Sequence, residues 1–133
     1  MSYTHGGKHI HFEWGLENDL LTIVNENGRI HKYHLDEIIK IIQWLKEEFG
    51  DNWFPLANNV AKLGDGTEKN GLGVAILEQA PGDITHAQGA SYLGVVLEQV
   101  GIFKWNGASR GIEWRFERKV NEREELRKLL SSR

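Results

Sequence analysis

At 133 residues, 40% hydrophobic and 10% aromatic, the chain carries apolar surface for one core rather than two, so a single domain over 1–133 is expected. Zero Cys excludes disulfides, thiolate-ligated zinc, iron–sulfur clusters and thiol nucleophiles. The net charge of −3 is unevenly placed: residues 1–83 hold 7 Lys/Arg against 13 Asp/Glu, and residues 84–133 hold 9 against 6, which makes the C-terminal part the basic one.

No run approaches the about 18 apolar residues of a membrane span, and the start, Met-Ser-Tyr-Thr-His-Gly-Gly-Lys, lacks the basic-then-apolar pattern of a secretory signal. A soluble, cytoplasmic protein with no membrane partner is the expectation. The first residues are polar and Gly-rich and read as loose until Lys8. From there alternation predicts a strand with Ile10, Phe12 and Trp14 on one face and His9, His11 and Glu13 on the other. Gly15-Leu-Glu-Asn-Asp reads as a turn into a second strand, Leu20 to Val24. Asn27-Gly28 then offers a type I′ hairpin turn, which sets Glu26 opposite Arg29, Val24 opposite His31 and Leu20 opposite Leu35. The result is a three-stranded antiparallel meander over 8–35.

Asp36 reads as the cap of a helix with an apolar stripe at Ile38, Ile41/Ile42, Leu45 and Phe49, stopped by Gly50. A shorter helix is predicted over 55–63 and another over 67–79, with Gly64-Asp-Gly between them and Gly71 and Gly73 weakening the second. Thr85 caps the last core helix, whose buried stripe is Ala87, Ala90, Leu93/Gly94, Leu97 and Val100 and whose stop is Gly101. Gly89 and Gly94 inside it allow a neighbouring backbone to approach. The segments from Ile102 and from Gly111 alternate around Asn106-Gly-Ala-Ser-Arg110 and predict an aromatic β-hairpin, in which Trp105 and Trp114 read as apolar cover. The tail, 119–133, reads as a helix with acids early and bases late. The fold class is α+β.

A helix running straight into an aromatic hairpin, after other helices, resembles the last helix and wing of a winged helix-turn-helix domain over about 36–118. The resemblance implies a non-catalytic DNA-binding protein, such as a transcriptional regulator, that needs no cofactor. It offers His86, Gln88, Ser91 and Tyr92 to base edges, while Lys104, Arg110 and Arg115 on the hairpin and Arg118 and Lys119 after it hold phosphates. Residues 86–100 contain no Lys or Arg, unlike most DNA-reading helices. Winged helices also serve as protein-binding modules, so a protein partner or homodimerisation is the alternative.

Other chemistry reads more weakly. His9, His11 and His31, with Glu13, are the candidates for a His-based metal site, but His31 and His34 face opposite sides of a regular strand. Adjacent acids such as Glu47/Glu48 and Glu124/Glu125 diverge on a helix and read as solvated surface. The Gly64–Gly73 region lacks the Gly-Lys-Ser/Thr ending of a phosphate loop.

Overall fold

Turn chemistry and burial together set the register of the N-terminal sheet. The computed structural model describes residues 2–132, and its first sheet runs β1 (Ser2–Tyr3), β2 (His11–Glu17), β3 (Leu20–Asn25), β4 (Ile30–His34), antiparallel in that order. The meander is therefore four-stranded, with β1 formed by residues expected to be loose. Its two-residue turn is Asn18-Asp19, both with positive φ (53° and 63°), rather than Asn27-Gly28. Asn and Asp tolerate that conformation better than other side-chain-bearing residues.

The second hairpin has a three-residue loop instead. Asn25 Oδ1 accepts hydrogen bonds from the amides of Asn27 and Arg29, and Gly28 takes φ 83°. This shifts the expected pairing by one residue: Val24 faces Ile30, Ile23 faces His31 and Leu20 faces His34. The physical reason is burial. In the observed register Leu21, Ile23, His31 and Tyr33 share the covered face with Phe12 and Trp14, whereas a one-residue slip would set Ile23 opposite Lys32.

Helix α1 spans Leu35–Phe49 and buries Ile38, Ile41, Ile42 and Leu45. Its cap is His34, whose Nδ1 accepts from the Asp36 amide at 3.1 Å, so Asp36 lies inside the first turn rather than at the cap. Phe54–Pro55 is a short strand, β5, instead of a helix start, because Phe54 pairs with Trp114 and is fully buried. Helix α2 is confined to Val60–Asp65, capped by Asn59, and α3 to Leu72–Gln79. The first turn of α3 is packed directly on the 55–57 backbone: a Cβ on Gly71 would lie 2.4 Å from the Pro55 carbonyl oxygen and one on Gly73 2.1 Å from that of Ala57, and the Gly73 amide donates to the Leu56 carbonyl.

The expected single helix from Thr85 is two, α4 (Ile84–Gln88) and α5 (Ala90–Gln99). Asp83, not Thr85, caps α4 by accepting from the His86 amide. The break at Gly89 is imposed from outside: the Tyr33 hydroxyl donates to the His86 carbonyl at 2.7 Å and stands 1.9 Å from where a Gly89 Cβ would be. Helix α5 is buried along almost its whole circumference, at Ala90, Tyr92, Leu93, Gly94, Val95, Val96 and Leu97. One side meets the first sheet, where Tyr92 packs edge-on against Phe12. The other meets the hairpin, where Gly94 lies under Trp114.

Strands β6 (Phe103–Trp105) and β7 (Glu113–Phe116) form the predicted hairpin, and β5 extends it to a sheet of order β5-β7-β6. Helix α6 (Arg123–Ser131) closes the core with Leu126 and Leu130. Arg127 binds Asp19 through two hydrogen bonds of 2.7 Å, and Arg123 reaches Asp36. The fold is α+β, and among the described residues no helix is long and apolar enough to cross a membrane.

Candidate functional site

On β6 and β7 the side chains alternate between core and surface. The pairs Phe103–Phe116 and Trp105–Trp114 share one face, which places the intervening pair, Lys104 and Arg115, together on the other. Like charges directly opposite across a ladder disfavour the sheet. Arg115 is partly relieved by the Trp53 ring, 5.0 Å from its guanidinium carbon. Arg110 projects from the hairpin loop, which is shaped by Asn106 and by the Trp105 indole donating to the Ala108 carbonyl at 3.0 Å. Arg118 and Lys119 follow β7 and are exposed. Among the described residues none of these five cations makes an ion pair. Glu113 and Glu117 are interspersed, leaving the stretch 103–119 net positive.

The four residues expected to read bases lie elsewhere and do not share an open face. Tyr92 is buried: its hydroxyl accepts from Asn25 Nδ2 at 3.1 Å and its ring stacks on His31 at 5.4 Å. Ser91 is half-buried, and Gln88 and His86 turn toward the protein's own β3–β4 hairpin. The helical phase expected for α5 fails at Tyr92 because the first sheet covers the side taken to be outward.

Three of those four residues instead border two separate openings against the first sheet, His86 one of them and Gln88 and Tyr92 the other. His86 Nε2 lies 2.6 Å from Glu37 Oε2, and this hydrogen bond raises the His86 pKa against the opposing effect of burial. The Tyr33 ring packs against His86, and burial pushes its phenol far above the usual range. His31 is 4% exposed and held below the ordinary histidine value by burial first, then by Arg29 and His86. It lines an opening of about 460 Å³ with Lys32, Asp83, Thr85 and His86. On the other side of the His31–Tyr92 stack is an opening of about 700 Å³, bordered by Lys8, Asn25, Asn27, Arg29 and Gln88. Glu37, Arg29 and Lys8 belong to this region although sequence pattern did not point to them, because their convergence depends on which side of β4 packs against α4.

The histidines considered for a metal do not converge. His9 is exposed in a loop with φ 44°, His11 sits on the outer face of β2 beside Glu13 at 3.2 Å, and His31 is on the covered face. Among the described residues no group of three potential ligands is suited to a metal ion. No family model matches this chain, and no curated protein or solved structure matches it significantly.

Proposed function

We propose that the protein is a non-catalytic DNA-binding protein of winged-helix type that holds the phosphate backbone through its hairpin. The observation that carries this reading is the outward Lys104–Arg115 pair, continued by Arg110, Arg118 and Lys119, with no acid bonded to any of them among the described residues. A helix that leads within a few residues into a two-stranded hairpin, widened by β5, supports the winged-helix resemblance. Since α5 is covered, the expected mode is backbone contact with little base discrimination. The absence of cysteine is compatible with a cytoplasmic setting.

Titration with random duplex DNA at two salt concentrations tests it. The logarithm of affinity should fall against log salt with a slope of about −0.9 per phosphate neutralised, and K104A/R110A should make the slope shallower by about 2. Absent or salt-independent binding at low ionic strength would rule the reading out.

A second reading, a protein-interaction or self-assembly module, is favoured by one different observation. Val24 on β3 and Ile30 on the edge strand β4 are cross-strand neighbours on the uncovered face of the first sheet and are 37% and 54% exposed. Under that reading V24E/I30E lowers the mass seen by light scattering, or abolishes capture of a partner, and leaves DNA titrations blank.

A further inference from the structure

The uncovered face of the first sheet carries a pattern that neither the core nor the basic hairpin uses. Among the described residues, three of the four large apolar side chains exposed to solvent, Tyr3, Val24 and Ile30, stand on it. A solvated antiparallel face is ordinarily polar at such positions, and exposed apolar groups gathered in one patch mark an interaction surface. Strand pairing sets the side chains in rows across β2, β3 and β4: Glu13, Val24 and Ile30, then Gly15, Thr22 and Lys32, then Glu17, Leu20 and His34. The acids therefore stand on β2 and the lysine on β4, with Thr22 and Val24 of β3 between them. Glu13 has the His11 ring at 3.2 Å, whereas Glu17 and Lys32 make no ion pair among the described residues. Gly15 leaves a gap in the acidic strand. Nothing lies within 4 Å of where its Cβ would be, and an opening of about 340 Å³ is bordered on this face by Glu13, Glu17, Thr22 and Val24.

We infer that this face docks on the same face of a second copy, about a two-fold axis running along β3, with each Lys32 seated over the partner's Gly15 and between the partner's Glu13 and Glu17. The inference rests on the self-assembly reading of this face and adds the identity of its partner and the orientation. A two-fold axis along β3 exchanges β2 and β4, so the acidic strand of each copy lies across from the lysine strand of the other. The row that holds Lys32 is also the row that holds Gly15, which aligns the ammonium with the gap. An axis across the strands would instead lay β2 on β2 and set the carboxylates against one another. Sheets pack face to face about 10 Å apart with strands within about 30° of each other. At that spacing the lysine stem covers Thr22 and Val24 while its charged end reaches the carboxylates, and the missing side chain at Gly15 leaves it room. A face with both signs in matching rows is complementary to itself. Strands of this length and number make a patch about 20 Å on a side, small for a permanent dimer, so the association is weak and depends on concentration.

The test is the mass of the full chain by analytical ultracentrifugation from about 1 µM to about 1 mM, the range of a weak association. Mass should rise from one chain toward two. K32E and E13K/E17K should each weaken dimerisation about tenfold or more, because each sets like charges face to face. An equimolar mixture of these two variants should regain the dimer as a one-to-one pair, which shows that both are folded. G15K, for which the isolated chain has room, should remain single because it fills the seat of the partner's Lys32. K104A/R110A should dimerise as the unmodified chain does, which keeps the result apart from the DNA reading. A dimer lost in V24E/I30E but kept in K32E and E13K/E17K would overturn the orientation and leave self-assembly through this face standing. An unmodified chain that stays single up to about 1 mM, or a mixture of K32E with E13K/E17K that stays single while both are folded by circular dichroism, would overturn the inference. Capture of a different protein through Val24 and Ile30 would then be the surviving form of the interaction reading.

Discussion

Two histidines whose rings lie 5.4 and 4.5 Å from tyrosine rings, His31 and His86, are tuned in opposite directions by what they touch. His86 is bonded to Glu37, and its pKa is raised. A raised histidine contributes stability that is complete below the unfolded value, ordinarily 6.5, and is lost as pH rises through the folded value. His31 is lowered by burial, so its contribution is present above 6.5 and is lost as pH falls through the folded value. Melting temperatures measured from about pH 5 to about pH 9 should therefore decline on both sides of neutrality. E37Q should flatten the alkaline side and H31Q the near-neutral part of the acid side. Equal curves for the three proteins would show that neither environment differs from the unfolded chain.

At the scale of elements, the contact that places the hairpin is Gly94 of α5 against Trp114 of β7. A Cβ at position 94 would fall 2.4 to 2.8 Å from three atoms of the indole, which is itself only 1% exposed and packed beside Phe103. Alanine improves helix propensity by about 1 kcal/mol, but overpacking a filled site costs about 1–3 kcal/mol. G94A should lower stability in denaturant titrations. The same change in a W114L background should be neutral or stabilising, because the opposing ring is gone, and the cycle should give a coupling above about 0.5 kcal/mol. Additive effects would mean that α5 and β7 do not meet through this pair.

Over the whole molecule, the terminal helix is fastened to the first sheet across 108 positions of sequence by the Arg127–Asp19 pair. The arginine hydrogen bond lowers the Asp19 pKa. A lowered carboxyl gives stability that is present above the ordinary value of 3.8 and is lost as pH falls through the folded value. The pair is solvent-accessible, and salt should weaken it. R127A is expected to lower the melting temperature at neutral pH and to shrink the drop on acidification below pH 3.8. An identical acid transition in R127A would show that α6 docks through Leu126 and Leu130 alone.

The sequence by itself determined the features that local chemistry controls. Isoleucine and leucine spacing gave α1 and its end at Gly50, period-two alternation gave the covered faces of β2 and the β6–β7 hairpin, and charge order gave α6. The α+β class followed from these. Only the tertiary structure decided the register of β3 with β4, because Asn27-Gly28 accommodates more than one loop and burial of His31 and Tyr33 chose between them. It also decided the break at Gly89, which a distant Tyr33 hydroxyl produces, and the burial of Tyr92, since periodicity marks one apolar stripe on a helix and gives no sign that the first sheet covers the side opposite the hairpin. For the same reason the five hairpin cations were legible from alternation and loop position, whereas the pairing of His31 with His86 at one opening and of Lys8 with Arg29 at another was not. Their proximity is a product of non-local packing between α4 and β4, which no spacing along the chain encodes.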